Sequence, residues 1–239
     1  MMAQVLAVTI GGFAVGTAGM ALANRRARSD VARARWLKLA SYFVIVHVVL
    51  AACAAGRIAT TALVAMIAAA SARELWHAWR RIPAPRPAGV WPVFGLSIAS
   101  LAAAAWRLPG GHVAFIFLVV ATFDGFSQVG GQVLGRRKLV PHISPNKTVE
   151  GLAIGAFAAL IVARASRALL PADGGLALGL GAAVAACAFG GDLAASWVKR
   201  RAGVKDYSSA LPGQGGVLDR FNSFMAAMTG VGLPMAWLH

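Results

Sequence analysis

Acidic residues are scarce in this chain: only 8 of 239 residues are Asp or Glu, against 23 Lys and Arg. Charged residues of both signs make up 13%, about half of the share, roughly 25%, usual for a soluble domain. A chain with so little solvating charge and 59% hydrophobic residues is neither an intrinsically disordered segment nor a small water-soluble enzyme. Cysteine is scarce too. Cys53 and Cys187 lie far apart, each inside an apolar stretch, which excludes a disulfide framework and reads as two small buried hydrophobes. The five histidines, His47, His77, His112, His142 and His239, show no metal-ligand spacing, so a zinc site is not expected. There is no P-loop and no Ser-His-Asp order.

What is abundant is apolar length. The mean hydropathy is +0.69, and runs near the roughly 20 residues needed to cross a bilayer core recur along the chain. Eight candidate spans are expected at 2–23, 39–56, 58–76, 89–106, 112–133, 149–170, 174–198 and 217–238. The fold class is therefore an all-α, polytopic transmembrane helix bundle. The first run has no positive charge ahead of it and an Arg cluster behind it, unlike a signal peptide. The second and third are short and closely joined, as in a tight hairpin. Gly and Ala are plentiful within the spans, which lets helix backbones approach where lipid gives no hydrophobic drive to associate.

The formal charge of +15 could mean nucleic acid, but the cations fall between the apolar runs, so no nucleic-acid partner is expected. Loop one carries Arg25, Arg26, Arg28, Arg33, Arg35 and Lys38, and loop three Arg73, Arg80, Arg81 and Arg86. Loop five carries Arg136, Arg137, Lys138 and Lys147, and loop seven Lys199, Arg200, Arg201 and Lys205. By the positive-inside rule the odd loops face the cytoplasm and both termini lie outside, in an integral protein of a bacterial inner membrane. In loops one and three no chemical motif accompanies the charge, so it reads as a topology signal and a contact for anionic lipid.

Loops five and seven differ because of the acidic residues beside them. Asp30, Glu74 and Asp173 fall in or near loops, where solvated charge is the default. Asp124 and Asp192 lie inside spans and Asp219 opens one; a carboxylate there costs roughly 2.5–3.5 kcal/mol on insertion scales and needs a partner, a cavity or an ion. A polar knot that only fixes packing is the plain alternative for any one of them. Helical spacing continues each into a stripe: Asp124 with Gln128 and Gln132, Asp192 with Ser196, Lys199 and Arg200, Asp219 with Asn222 and Ser223. Such oxygen ligands suit Mg²⁺, which commonly takes one or two carboxylates plus substrate phosphates. Both loops are basic and rich in Gly and Pro, and Ser144 to Thr148 followed by Glu150 offers helix-start chemistry. A polyanion cradle beside metal-binding carboxylates points to phosphoryl or nucleotidyl chemistry at a membrane surface.

The stretch Ser196-Trp-Val-Lys199-Arg200, Lys205-Asp206, Pro212-Gly-Gln-Gly-Gly216 and Asp219-Arg220-Phe-Asn222, together with Gly191-Asp192 and Ile143-Ser-Pro-Asn-Lys-Thr-Val-Glu-Gly151, resembles the signature of the phosphatidate cytidylyltransferase, or CDP-diacylglycerol synthase, family. The resemblance covers roughly residues 120–225, and the first 110 match only as a hydrophobic bundle. It implies transfer of CMP from CTP to phosphatidic acid or a related lipid phosphate, with Mg²⁺ and, as an open alternative, a second monovalent cation. It divides the chain into N-terminal transmembrane helices, 1–110, and a catalytic region, 111–239, with cytoplasmic loops 134–148 and 199–216. By analogy Asp192 and Asp219 hold the metal, with Asp124 a further ligand. Lys199, Lys205 and Arg220, with Arg200, neutralise phosphates, and Asp206 orients the basic loop. Ser144, Lys147, Ser196, Gly215, Gly216 and Asn222 complete the substrate-binding set. Two residues depart from the family pattern: Gln214 stands where His is usual and Asn222 where Asp is usual. Membrane lipids are the expected surroundings, and a homodimer is left open. Against this reading stand a CTP-dependent lipid kinase of polyprenol type, a low-activity paralogue acting on another lipid phosphate, and a transporter or channel whose aspartates bind an ion.

Overall fold

In lipid, a long apolar segment that is not part of a closed barrel can satisfy its backbone only as a helix. A computed structural model describes residues 2–25 and 27–238. Arg26 of the first basic loop and His239 lie outside the described residues. The chain runs α1 (Met2–Asn24), α2 (Ser29–Ala55), α3 (Arg57–Arg81), α4 (Val90–Arg107) and α5 (Gly110–Leu134). A short hairpin follows, β1 (Lys138–Val140) and β2 (Ser144–Thr148), then α6 (Val149–Ala165), α7 (Gly174–Arg201) and α8 (Val217–Ala227). A π-helical turn (Met228–Gly232) carries α8 directly into α9 (Leu233–Leu238).

Six helices, α1 to α5 and α7, are long and apolar enough to cross a membrane. Two of the eight expected spans fall short of that measure. α6 has 17 residues, which at the helical rise of about 1.5 Å per residue is less than a full bilayer core. The last run opens on Asp219, Arg220, Asn222 and Ser223 and is interrupted by the π turn. α2 begins ten residues before its expected start, because the basic turn through Arg33 and Arg35 continues as helix. The expected tight hairpin between α2 and α3 turns on Gly56 alone, at φ 105°, a left-handed conformation open to glycine. Thr60 Oγ1 spans the turn, donating toward the carbonyls of Ala52 and Gly56.

α5 is the central post. Phe115, Ile116, Phe117 and Val119 are sealed from solvent, and α1, α2, α6, α7 and α8 all pack against it. The closest of these contacts is with α6, and glycine makes it possible. A side chain on Gly155 would run into Ser127 Oγ, and one on Gly151 would meet the Ser127 carbonyl at 2.6 Å and the Gly131 amide at 3.0 Å. Backbone touches backbone here, the packing that small residues four apart provide in membranes.

Loop five, read from the sequence only as a basic loop rich in Gly and Pro, folds as an antiparallel hairpin pairing Lys138 with Thr148 and Val140 with Ser144. Pro141 follows Val140 in a tight turn. The turn is closed by the Ile143 amide, which donates to the Val140 carbonyl at 3.2 Å. Thr148 then caps α6, its Oγ1 accepting from the Gly151 amide at 3.1 Å. Glu150 reaches back to the amides of Arg136 and Arg137, which fixes the hairpin on the start of α6.

Candidate active site

Four elements bring polar side chains to one end of the bundle, and each does so for a local reason. α5 presents Asp124 and Gln128 along its one polar stripe. The hairpin, anchored through α6, holds Ser144, Asn146, Lys147 and Thr148 above it. α7 contributes Asp192, and α8 contributes Asp219, Arg220, Asn222 and Ser223. Together they line a cavity of about 270 Å³, part of whose wall comes from Met20, Lys38, Leu39 and Tyr42 of α1 and α2. The sequence-expected residues Asp124, Ser144, Lys147, Asp192, Asp219, Arg220 and Asn222 thus share one space. Ser196, Lys199, Arg200, Lys205, Asp206, Gly215 and Gly216 do not line it.

Ion pairs organise the walls. Lys147 Nζ pairs with Asp192 Oδ2 across the gap between hairpin and α7. Lys199 Nζ donates to Asp219 Oδ1 at 2.6 Å, both side chains being buried. The other oxygen, Asp219 Oδ2, accepts from the Tyr207 amide at 2.7 Å and the Gly216 amide at 2.9 Å. Asp219 is therefore fully engaged in holding loop seven to α8. Arg220 stacks on the Tyr42 ring, 4.1 Å from its centroid, and donates from Nη2 to the Tyr42 hydroxyl at 2.9 Å. Its distance to Asp124 Oδ2 is 4.0 Å. Ser223 Oγ donates to Asn222 Oδ1 at 3.1 Å.

Loop seven is tied at several points. Leu211, Pro212, Gly213 and Gln214 form a turn closed by the Gln214 amide on the Leu211 carbonyl. Gly213, at φ 70°, occupies the turn position that requires a left-handed residue. Gln214 Nε2 donates to the Lys38 carbonyl at 2.6 Å. Arg200 Nε donates to the Ile143 carbonyl at 3.1 Å, tying α7 to the hairpin. Lys205 and Asp206 are exposed. Tyr207 donates its hydroxyl to the Ala195 carbonyl at 3.1 Å. Burial raises the pKa of that hydroxyl above its ordinary value, with Asp219 adding to the shift, so it remains a donor at neutral pH.

Glu74 overturns the expectation of a solvated charge. It is 7% exposed. Its Oε1 accepts from Ser208 Oγ at 2.6 Å and the Val217 amide at 3.0 Å, and its Oε2 from the Leu218 amide at 2.8 Å. A carboxylate on α3 thus supplies the side-chain cap that Gly216, the residue just before α8, cannot provide. With Asp219 taking the Gly216 amide, the amides of Gly216, Val217 and Leu218 are each directed at a carboxylate. The physical reason for the misreading is that hydropathy sees a charge near a helix end, and only the packing of α3 on α8 reveals its partners. Asp173, by contrast, caps its own helix, accepting from the Leu176 amide at 2.7 Å. Glu74→Gln should lower the thermal unfolding midpoint in detergent, because one buried amide would lose an acceptor, at a cost of about 1–3 kcal/mol. Equal midpoints for this variant and the parent would show the cap to be idle.

Sequence reasoning also missed Lys38 and Tyr42, one helical turn apart on α2. Their i, i+4 spacing was a faint signal, submerged in a loop whose charge is explained by topology. Among the described residues no three His, Cys, Asp or Glu side chains gather as a metal-binding group. Asp124 and Asp192 nevertheless face the same cavity as Gln128, Asn222 and Ser223. Two carboxylates with amide and hydroxyl oxygens fit a magnesium ion that completes its shell with water and substrate phosphate.

Apolar helices long enough to cross a membrane, with a charged cavity at one end of the bundle, define an integral membrane protein with a polar site. The chain belongs to the cytidylyltransferase family, whose profile matches residues 92–237. Among its relatives, a phosphatidate cytidylyltransferase of Staphylococcus aureus (strain COL) is 42% identical over 116 residues, 48% of this chain and 45% of that protein. A phosphatidate cytidylyltransferase of Brucella abortus (strain 2308) is 39% identical over 145 residues, 57% of this chain and 54% of that protein. The chain spans about half the length of the curated relatives it matches. No solved structure matches it.

Proposed function

We propose that the chain is a membrane nucleotidyltransferase that moves CMP from CTP to phosphatidic acid, giving CDP-diacylglycerol and pyrophosphate. The observation that carries the reading is the cavity itself: Lys147, Arg220, Asp124 and Asp192 converge at one end of a lipid-embedded bundle, in a chain of the cytidylyltransferase family. The basic helix ends beside the cavity support a site on the cytoplasmic side of an inner membrane, with both termini outside.

In this reaction an oxygen of the lipid phosphate forms a bond to the α-phosphorus of CTP. The bond from that phosphorus to the bridging oxygen breaks, and its electron pair leaves with pyrophosphate. The nucleophile is anionic at neutral pH, so the protein's task is to position and to offset charge rather than to remove a proton. Lys147 and Arg220 neutralise phosphate oxygens, and a phosphate entering the cavity competes with Asp192 for Lys147. Asp124 and Asp192 would hold Mg²⁺, which when bound supplies further charge neutralisation at the phosphates. Asp219 would join them only by giving up Lys199 or an amide of loop seven. Its work is to hold Lys199 and the start of α8 in register.

Two preparations of CTP test the proposal, one labelled in the cytosine ring and one in the γ-phosphate, each given to the detergent-solubilised protein with Mg²⁺ and phosphatidic acid. Cytosine label is expected in the lipid and γ-label in pyrophosphate. γ-Label in the lipid would overturn the reading in favour of a CTP-dependent lipid kinase. Transfer to another lipid phosphate in preference to phosphatidic acid would instead revise the acceptor, as Gln214 and Asn222 leave room for.

A further inference from the structure

The cations around the cavity are not equally matched. Lys147 is paired with Asp192 and Lys199 with Asp219. Lys38 lines the cavity from α2, and among the described residues no carboxylate forms an ion pair with its ammonium. Arg220 is also incompletely matched. Its Nε is buried with no hydrogen-bond partner, and its nearest carboxylate contact is the 4.0 Å approach to Asp124. Two cations facing one cavity, each short of an acceptor, leave a surplus of positive charge that an anion would offset.

Both groups are held rather than loose. The Pro212–Gln214 turn lies against α2 at Lys38: Gln214 Nε2 bonds the Lys38 carbonyl, and a side chain on Gly213 would stand 3.1 Å from the Lys38 Cα. Tyr42, one turn along α2, carries the Arg220 guanidinium on its ring and bonds it through its hydroxyl. That hydroxyl is anchored in turn on the Ala121 carbonyl of α5. The same helix therefore presents one cation and sets the position of the other.

We propose that Lys38 and Arg220 form an anion seat for a phosphate group, with Tyr42 and Gln214 as its positioning residues, so that α2 is part of the substrate-binding surface. The identity of the ligand rests on the nucleotidyltransferase reading; the seat itself rests on the unpaired Lys38 ammonium and on the Arg220 Nε that lacks an acceptor. Its phosphate comes from the nucleotide or from the lipid, and the two sources separate experimentally. Dissociation constants for CTP, for short-chain phosphatidic acid and for inorganic pyrophosphate would be measured on the detergent-solubilised chain, with Lys38→Ala and Lys38→Arg beside the parent. Thermal unfolding of each variant without ligand would check the fold. Lys38→Ala should weaken at least one of these ligands about tenfold, the loss of one charge-assisted bond, and Lys38→Arg should restore most of it. Weakening of CTP and pyrophosphate assigns the seat to the nucleotide; weakening of phosphatidic acid alone assigns it to the lipid. Unchanged binding of all three by a folded Lys38→Ala chain would overturn the seat. Pyrophosphate binding that depends on Lys38 would uphold it even in a chain that makes no CDP-lipid, so the two proposals fail separately.

Discussion

Asp219→Ala is expected to abolish CMP transfer and to destabilise the protein in one stroke. The carboxylate holds the buried Lys199 ammonium on one oxygen and two backbone amides, at Tyr207 and Gly216, on the other. Truncating it strands a cation in a site that water barely reaches, and breaking a buried pair from one side costs about 3–5 kcal/mol. Thermal unfolding and initial rates of CMP transfer, both in detergent, would record the two effects. Asp219→Asn keeps an acceptor oxygen for the amides and should fall between parent and alanine in stability. Adding Lys199→Met to Asp219→Ala should recover part of the stability by removing the stranded charge, and none of the activity. A singly substituted Asp219→Ala protein that unfolds with the parent and still transfers CMP would contradict the assignment of Asp219 as the organiser of loop seven.

Gly155→Leu is expected to be as damaging, though residue 155 lines no part of the cavity. A side chain there meets Ser127 Oγ and the Phe123 carbonyl on α5, and the clash involves backbone that cannot step aside. α6 must move off α5, and the hairpin capped onto α6 moves with it, drawing Lys147 away from Asp192. A displacement of about 1 Å at a reacting centre costs on the order of a hundredfold in rate. Overpacking itself costs about 1–3 kcal/mol. Gly179→Leu on α7 provides the comparison, since a side chain at Gly179 meets nothing within 4 Å. The Gly179 variant should match the parent in transfer rate and melting temperature. Equal behaviour of the two variants would mean that the α5–α6 contact does not set the site.

The helices were legible in the sequence because apolar length is a strong one-dimensional signal. The ends of α3, α5 and α7 lie within a few residues of the expected spans, except where α3 and α7 continue into basic turns that hydropathy scores as loop. The same blindness hid the first ten residues of α2. The hairpin was illegible for a different reason: strands of three and five residues are too short to show an alternating pattern. Several candidate site residues could be picked out because a charge inside an apolar run stands out against its background. Asp124 and Asp192 are of this kind, and they do face a common cavity. Lys38 and Glu74 sit among many other charges near span ends, where composition alone gives each a sufficient explanation. Their partners lie 176 and 143 residues away in sequence, at Gln214 and Val217, a separation that no local pattern reports.

The seal that Glu74 places on the amino end of α8 has an evolutionary corollary. Residue 74 precedes the stretch that matches the family profile, which starts at residue 92. Through Glu74 the leading helices take part in holding the start of α8, which lies inside the matched stretch. A hybrid protein with borrowed leading helices would inherit the motif intact and lose the group on which its last helix is founded, unless the graft happened to carry an acid at the same height. Shuffling between lineages is expected to be constrained at that seam, with residue 74 and residues 208–218 changing together in an alignment of relatives.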